Sequence, residues 1–247
     1  MHLFEFNDAP WLPWPIRKTL FETMEMCNTY FRRFDREVAQ QAIALATHHN
    51  LTTIVEMGAG HAPVTRALLE LEESDQLHLV PCDLIPQTKT YAALAEAHPK
   101  RVFPRYDSID STTQHTWPPG TLLVVASAFH HVPPPSRESA LATLTASADR
   151  VAVFEPIQRS LPSMLLTLTS IVPCLLLPIV LIKRPGRLRR IVCCWLFPIV
   201  PLMFLWDALV SCNRCWNEAT WRSTLENIAI ARPASIENRL HFQSVTW

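Results

Sequence analysis

Glycine is scarce in this 247-residue sequence, and the sequence carries no net charge. Only four glycines occur beside 21 prolines, and 22 basic residues balance 22 acidic ones. A chain with 49% hydrophobic and 18% charged residues is too apolar for a disordered protein. The missing basic excess argues against the usual nucleic-acid binder, so we expect no nucleic-acid partner.

The sequence also shows neither a secretory signal pattern nor a disulfide framework. Residues 1–8 are acidic and have no basic region before an apolar core, so we expect a cytoplasmic main domain. Seven cysteines are an odd number, which is typical of reduced thiols. Cys212 and Cys215 have the spacing of two zinc ligands, but no second pair stands at a matching distance. We therefore expect buried thiols and no metal site.

Acidic residues become rare after residue 160. Residues 1–160 hold 18 Asp and Glu against 13 Lys and Arg, whereas residues 161–247 hold 4 against 9. Residues 161–182 carry no charge, residues 183–190 contain five Lys and Arg, and residues 191–206 are again uncharged. This asymmetry indicates that the two portions meet different surroundings.

The apolar portion is long enough to meet a membrane. About 20 apolar residues cross a ~30 Å hydrocarbon layer, which residues 161–182 satisfy by count. Five basic residues in the short loop and five prolines disfavour a spanning hairpin. We expect two kinked helices that lie on or dip into one leaflet. A spanning pair and a soluble insertion that encloses an apolar ligand are the alternatives.

Short apolar runs alternate with helix-like stretches over residues 51–160. The runs lie at 53–57, 77–82, 101–106, 121–126 and 151–154, and helices are predicted at about 63–73, 88–97 and 135–146. Uninterrupted apolar runs indicate a parallel sheet covered on both faces. We predict a Rossmann-like, doubly wound α/β core over 51–160. Residues 1–50 are predicted to be an N-terminal helical cap, 161–215 an apolar and basic helical hairpin, and 216–247 a closing helix and strand of the core.

Half of the glycines lie in one turn. Gly58 and Gly60 follow the first predicted strand, at the place where doubly wound folds bind their ligand. Glycine lets the backbone pass close to such a ligand. Glu56 and the missing third glycine disfavour the pyrophosphate of a dinucleotide, so an NAD(P)-dependent oxidoreductase is a weak alternative. An acidic residue suits a ligand with a cationic group instead.

The segment Val55-Glu56-Met57-Gly58-Ala59-Gly60 resembles the first motif of class I S-adenosylmethionine (SAM)-dependent methyltransferases. Residues 80–84, 107–111, 123–132 and 153–156 resemble later elements in the same order. The resemblance implies SAM as the cofactor, and Asp83 as the residue that bonds the ribose hydroxyls. It also implies an acid near the adenine amine, for which Asp107 competes with the favoured Asp110. The predicted cofactor-binding residues are Glu56, Gly58, Ala59, Gly60, Asp83, Leu84, Asp110 and Ser127.

Two histidines lie just past the predicted strand at 121–126. His130 and His131 accept protons near neutral pH, so each is a candidate general base where the acceptor loses a proton. Glu155 is a further candidate. We predict an enzyme of small-molecule biosynthesis that transfers a methyl group to a lipophilic acceptor. Residues 161–206 would hold the enzyme at the inner face of a membrane. A non-catalytic membrane adaptor with the same fold is the alternative, and the oligomeric state is left open.

Overall fold

The chain forms two compact units in a computed structural model that describes residues 4–6, 9, 11–228, 234–239 and 242–247. The first unit comprises Met1–Phe31 and Ile157–Trp216, and the second comprises Arg32–Pro156 and Asn217–Trp247. The four-segment division given above stays a prediction.

The helices run along the whole chain. They are α1 Trp14–His48, α2 Pro63–Leu69, α3 Thr88–Ala97, α4 Arg137–Ser147, α5 Leu161–Thr167, α6 Ile171–Val180, α7 Arg187–Ile191, α8 Ile199–Arg214 and α9 Glu218–Asn227. Short 3-10 turns lie at Glu72–Ser74, Phe129–His131, Pro134–Ser136 and Leu168–Ser170, and Val192–Leu196 is π-helical. The three helices predicted between residues 63 and 146 are observed, with α3 at the predicted bounds.

The second unit is built on one six-stranded sheet. The strands are β1 Thr53–Met57, β2 His78–Cys82, β3 Thr121–Ala126, β4 Arg150–Glu155, β5 Ser235–Arg239 and β6 Phe242–Thr246. Their order is β2-β1-β3-β4-β6-β5. The first four strands pair in parallel, and β6 is antiparallel to both β4 and β5. The predicted doubly wound, Rossmann-like fold is therefore confirmed.

Two segments of this unit differ from the expected strands. The closing region, predicted as one strand, is the antiparallel pair β5 and β6. The polar residues Glu237 and Arg239 lie on β5, at the edge of the sheet. Residues 101–106 pair with β2 only through an isolated bridge at Val102. Pro81 of β2 faces this segment and has no N–H to continue the ladder. The backbone N–H groups of Phe103 and Arg105 still donate to carbonyls of β2, so the segment runs alongside that strand.

The core of the second unit consists of fully buried strands and aromatic rings. Strands β1 and β3 are buried at nearly every position, as expected for a sheet covered on both faces. Phe242 of β6 lies 5.7 Å from Phe34 of α1 and 5.9 Å from Phe154 of β4, measured between ring centroids. These rings pack α1 against the sheet that carries the loops at its edge.

The first unit has its own core and carries the apolar hairpin. Leu20, Cys174, Leu177, Cys194 and Val200 are among its buried core residues. The stretch Leu161–Val180 is long and apolar enough to cross a membrane by length and composition. The stretches Arg187–Leu196 and Ile199–Arg214 meet at a bend of 68°. The break contains a proline, so the kink predicted from the prolines is observed.

Candidate functional site

The predicted site residues of the second unit gather where the strand order reverses. Strand β1 has β2 on one side and β3 on the other, so its carboxyl end lies at the topological switch point. Ligands of doubly wound sheets bind in the crevice at this point. The glycine turn follows β1, Asp83 follows β2, and Ser127 follows β3. The structure thus brings the three predicted loops to one edge of the sheet.

The two glycines of the turn are required for different reasons. Gly58 has φ +70°, and a Cβ there would lie 2.7 Å from the Cβ of Ala128, in the loop after β3. Gly60 has φ +48°, and a Cβ there would meet no atom within 4 Å. Gly58 therefore allows two loops to pack closely, whereas Gly60 borders open space. Between them Ala59 is buried, and its N–H donates to the carbonyl of Cys82.

The Asp83 carboxylate connects the loops after β1 and β2. Its Oδ2 accepts a hydrogen bond from the N–H of Gly60 at 2.7 Å, and its Oδ1 accepts one from Ile85 at 2.8 Å. Each carboxylate oxygen can accept two hydrogen bonds and here accepts one from the protein, so both can still accept a bond from a ligand. The neighbouring Leu84 side chain is 55% exposed, and its carbonyl accepts from the Ser108 hydroxyl. The Asp83 carboxylate therefore lies beside Gly60, and the exposed side chain of Leu84 follows it in the chain.

The Glu56 carboxylate points to the start of α2. Its Oε1 accepts from the N–H of Val64 at 3.0 Å, and its Oε2 accepts from the N–H and hydroxyl of Thr65 at 2.8 and 2.6 Å. It takes the place of a side-chain cap, which Ala62 at the N-cap position does not provide. Burial raises the pKa of Glu56 to about 7, against the lowering effect of these hydrogen bonds. Direct contact between Glu56 and a cationic ligand stays a prediction.

Asp107 and Asp110 have different surroundings. Asp107 is exposed and pairs with Arg105, whose guanidinium lowers the pKa of the Asp107 carboxyl. The Oδ1 of Asp110 accepts from the N–H and hydroxyl of Thr112, both at 2.8 Å. The N–H of Ile109 donates to the carbonyl of Asp83 at 2.9 Å, which places this turn beside the Asp83 loop. The choice of Asp110 over Asp107 stays a prediction.

The predicted histidines lie in the 3-10 turn after β3. Ser127, which precedes the turn, has φ +53° and donates its N–H to the carbonyl of Phe154. His130 is buried, and its N–H and Nδ1 contact the two carboxylate oxygens of Glu155 at 3.0 and 2.7 Å. A carboxylate at Nδ1 fixes the tautomer and makes Nε2 the basic nitrogen. His131 is exposed, with its ring centroid 4.2 Å from that of His130.

Two supporting residues were not predicted from the sequence. Buried Arg137 donates through Nε to the carbonyl of Val132 and through Nη2 to that of His130, both at 2.9 Å. Buried Trp221 packs against Phe129, with ring centroids 5.1 Å apart. Both hold the turn that carries His130. An arginine at the start of a helix has no motif that distinguishes it from a solvated one.

Comparison with known proteins places the fold. No family model and no curated protein sequence matches the chain. The structure of the plantazolicin methyltransferase BpumL in complex with SAH matches with a TM-score of 0.59 at 9% identity, covering 93% of this chain and 88% of that one. Human N-acetylserotonin methyltransferase in complex with SAM matches with a TM-score of 0.53 at 10% identity, covering 94% and 55%.

A third similar structure is that of SibL, an S-adenosylmethionine-dependent methyltransferase in its apo form. It matches with a TM-score of 0.53 at 14% identity, covering 87% of this chain and 55% of that one. The chain spans about half the length of the first solved structures that it matches. The chain therefore has the fold of the class I SAM-dependent methyltransferases, as the motifs predicted.

Proposed function

We propose that this protein is a SAM-dependent methyltransferase of class I. The observation that carries the proposal is the open space at Gly60 beside the Asp83 carboxylate, at the switch point of a methyltransferase fold. Glycine at this position leaves room for a ligand against the backbone. The free acceptor capacity of Asp83 suits a pair of ribose hydroxyls.

The surrounding residues fit the other parts of SAM. The exposed side chain of Leu84 offers an apolar surface to the adenine ring, and the Asp110 turn beside the Asp83 loop offers a carboxylate to the adenine amine. SAM supplies an activated methyl group on a sulfonium. Methyl transfer from it is an in-line displacement, for which orientation and exclusion of water provide most of the catalysis.

We propose His130 as the general base and Glu155 as the residue that positions it. SAM would supply the methyl group to an acceptor oxygen, nitrogen or carbon, and His130 Nε2 would accept the proton that the acceptor loses. Glu155 keeps the proton of Nδ1 in place. His131 is the second candidate base, because its ring is exposed beside that of His130.

We propose a lipophilic small molecule as the acceptor, methylated at the inner face of a membrane within a biosynthetic reaction sequence. The apolar stretch Leu161–Val180 and its exposed leucines support this proposal. The comparisons give no support to a non-catalytic adaptor or to an NAD(P)-dependent oxidoreductase.

The test is transfer of label from methyl-labelled SAM into fractions of a cell lipid extract. Label in the organic phase is expected, and His130→Ala is expected to lower the rate by roughly 10²–10⁴-fold with unchanged SAM affinity. His98→Ala, which changes a histidine outside the site, serves as the matched control. Tight SAM binding with no transfer in any fraction would favour the non-catalytic adaptor instead.

A further inference from the structure

The stretch Leu161–Val180 exposes apolar side chains where a helix of a soluble protein exposes polar ones. Its exposed large side chains recur at helical spacing and so form one broad face: Leu161, Met164, Leu165, Leu168, Val172, Leu175, Leu176, Ile179 and Val180. The small polar residues Ser163 and Thr167 are buried on the other side, together with Cys174, Leu177 and Pro178. A water-facing helix shows the opposite arrangement.

The following segment, Arg187–Arg214, also exposes large apolar side chains. Its exposed large side chains are Leu188, Trp195, Leu196, Phe197, Ile199, Leu202 and Trp206. Arg190, Asp207 and Arg214 are buried. The ring N–H of Trp195 donates to the carbonyl of Leu175 at 2.9 Å, so this indole joins the two segments. An exposed apolar surface this extensive marks a contact with a partner or with lipid.

A fixed basic loop closes one end of this surface. The fully buried Arg190 donates to the carbonyls of Leu181, Arg184 and Pro185 at 2.7, 2.6 and 2.9 Å, and so holds the loop from inside. Glu22 pairs with Arg189 at 2.6 Å and with Arg190 at 3.3 Å. Two of the five basic residues therefore share one carboxylate within the unit.

The other three basic residues face solvent. Lys183, Arg184 and Arg187 are exposed and make no ion pair with any residue that the structure describes. Exposed apolar residues stand directly beside them, with Ile182 at 45% and Leu188 at 74% exposure. Positive charge beside apolar side chains is the pattern of a segment that lies in a membrane interface.

We propose that residues 161–206 bind the surface of an anionic bilayer, with Lys183, Arg184 and Arg187 contacting lipid phosphates and the apolar faces entering one leaflet. An anionic bilayer supplies both an apolar layer and negative charges for the three exposed basic residues. A second copy of this chain supplies only the same positive loop. The inference extends the membrane part of the proposed function and does not depend on methyl transfer.

The test is co-sedimentation of the full chain with vesicles. Phosphatidylcholine vesicles are compared with vesicles that contain phosphatidylglycerol as well, at low and high salt. Each basic residue contributes roughly 5-fold in affinity for an anionic surface, so Lys183→Gln, Arg184→Gln and Arg187→Gln combined are expected to weaken binding by about 100-fold. The matched control replaces three exposed basic residues of the second unit, Arg33, Arg36 and Lys100, with Gln.

The outcomes separate the inference from the proposed function. Binding to anionic vesicles that falls with salt and is lost only in the loop variant supports the inference. Equal binding to both vesicle types, or equal loss in the control variant, overturns it and leaves the membrane location intact. If the protein binds neither vesicle type, both the inference and the membrane part of the proposed function are wrong. SAM titration of the same samples reports the cofactor site separately.

Discussion

Replacement of Gly58 by alanine tests the geometry of the turn after β1. A non-glycine residue in the left-handed region costs about 1–2 kcal/mol. The new Cβ would also lie 2.7 Å from the Cβ of Ala128, and such overpacking costs about 1–3 kcal/mol. Gly58→Ala is therefore expected to lower the free energy of unfolding by about 2–5 kcal/mol, measured from urea unfolding followed by circular dichroism.

Two controls separate backbone strain from the steric clash. Gly60→Ala, at φ +48° in open space, is expected to cost only about 1–2 kcal/mol of stability. Gly58→Ala in an Ala128→Gly background is expected to cost about the same, because the clashing methyl group is gone. The cofactor assay reverses the order, since a Cβ on Gly60 occupies the space proposed for SAM. Equal stability costs for both glycines, or unchanged SAM affinity in Gly60→Ala, would refute this reasoning.

Three further predictions concern the buried carboxylates Glu56 and Glu155 and the half-buried Glu22. Burial raises the pKa of Glu56 from 4.5 to about 7, so folded protein holds this proton longer than unfolded protein, and stability falls as pH rises from about 4.5 to 7. Urea unfolding at several pH values in this range should show a free energy of unfolding that falls less steeply with pH in Glu56→Gln than in the wild-type protein. An identical dependence on pH would contradict the assignment. Glu22→Gln should lower the free energy of unfolding by about 2–3 kcal/mol, because buried Arg190 loses its counter-charge; an unchanged urea midpoint would argue against this. Glu155→Gln should lower the rate of methyl transfer by roughly 10²–10⁴-fold with little change in SAM affinity, measured by initial rates, and an unaltered rate would remove Glu155 from the mechanism.

The parallel core was predictable because each of its signals is local. Buried strands appear as uninterrupted apolar runs, and the turn glycines stand directly after the first of them. The closing region was predicted as one strand and not as the pair β5 and β6, since a polar edge strand does not stand out as an apolar run. The segment at residues 101–106 reads as a strand from its apolar residues, while Pro81 of β2 lacks the N–H that would complete the ladder between the two.

The partners of the site residues depend on contacts distant in sequence. Glu56 stands beside the glycine turn in the sequence, yet its carboxylate caps α2, because Ala62 leaves that helix without a side-chain cap. His130 and Glu155 are 25 residues apart and meet because β3 and β4 are neighbours in the sheet. The sequence suggested both residues as candidates for the general base, but their contact follows only from the order of the strands in the sheet.

Isothermal titration of the purified protein with SAM, beside the Asp83→Ala variant, tests the central claim most directly. Loss of hydrogen bonds to a charged group costs about 1.5–3 kcal/mol, so Asp83→Ala is expected to weaken binding by roughly 10–100-fold. Our account predicts one SAM site per chain in the wild-type protein and a large loss in the variant. Absence of binding heat in both proteins, or equal affinity in both, would contradict it.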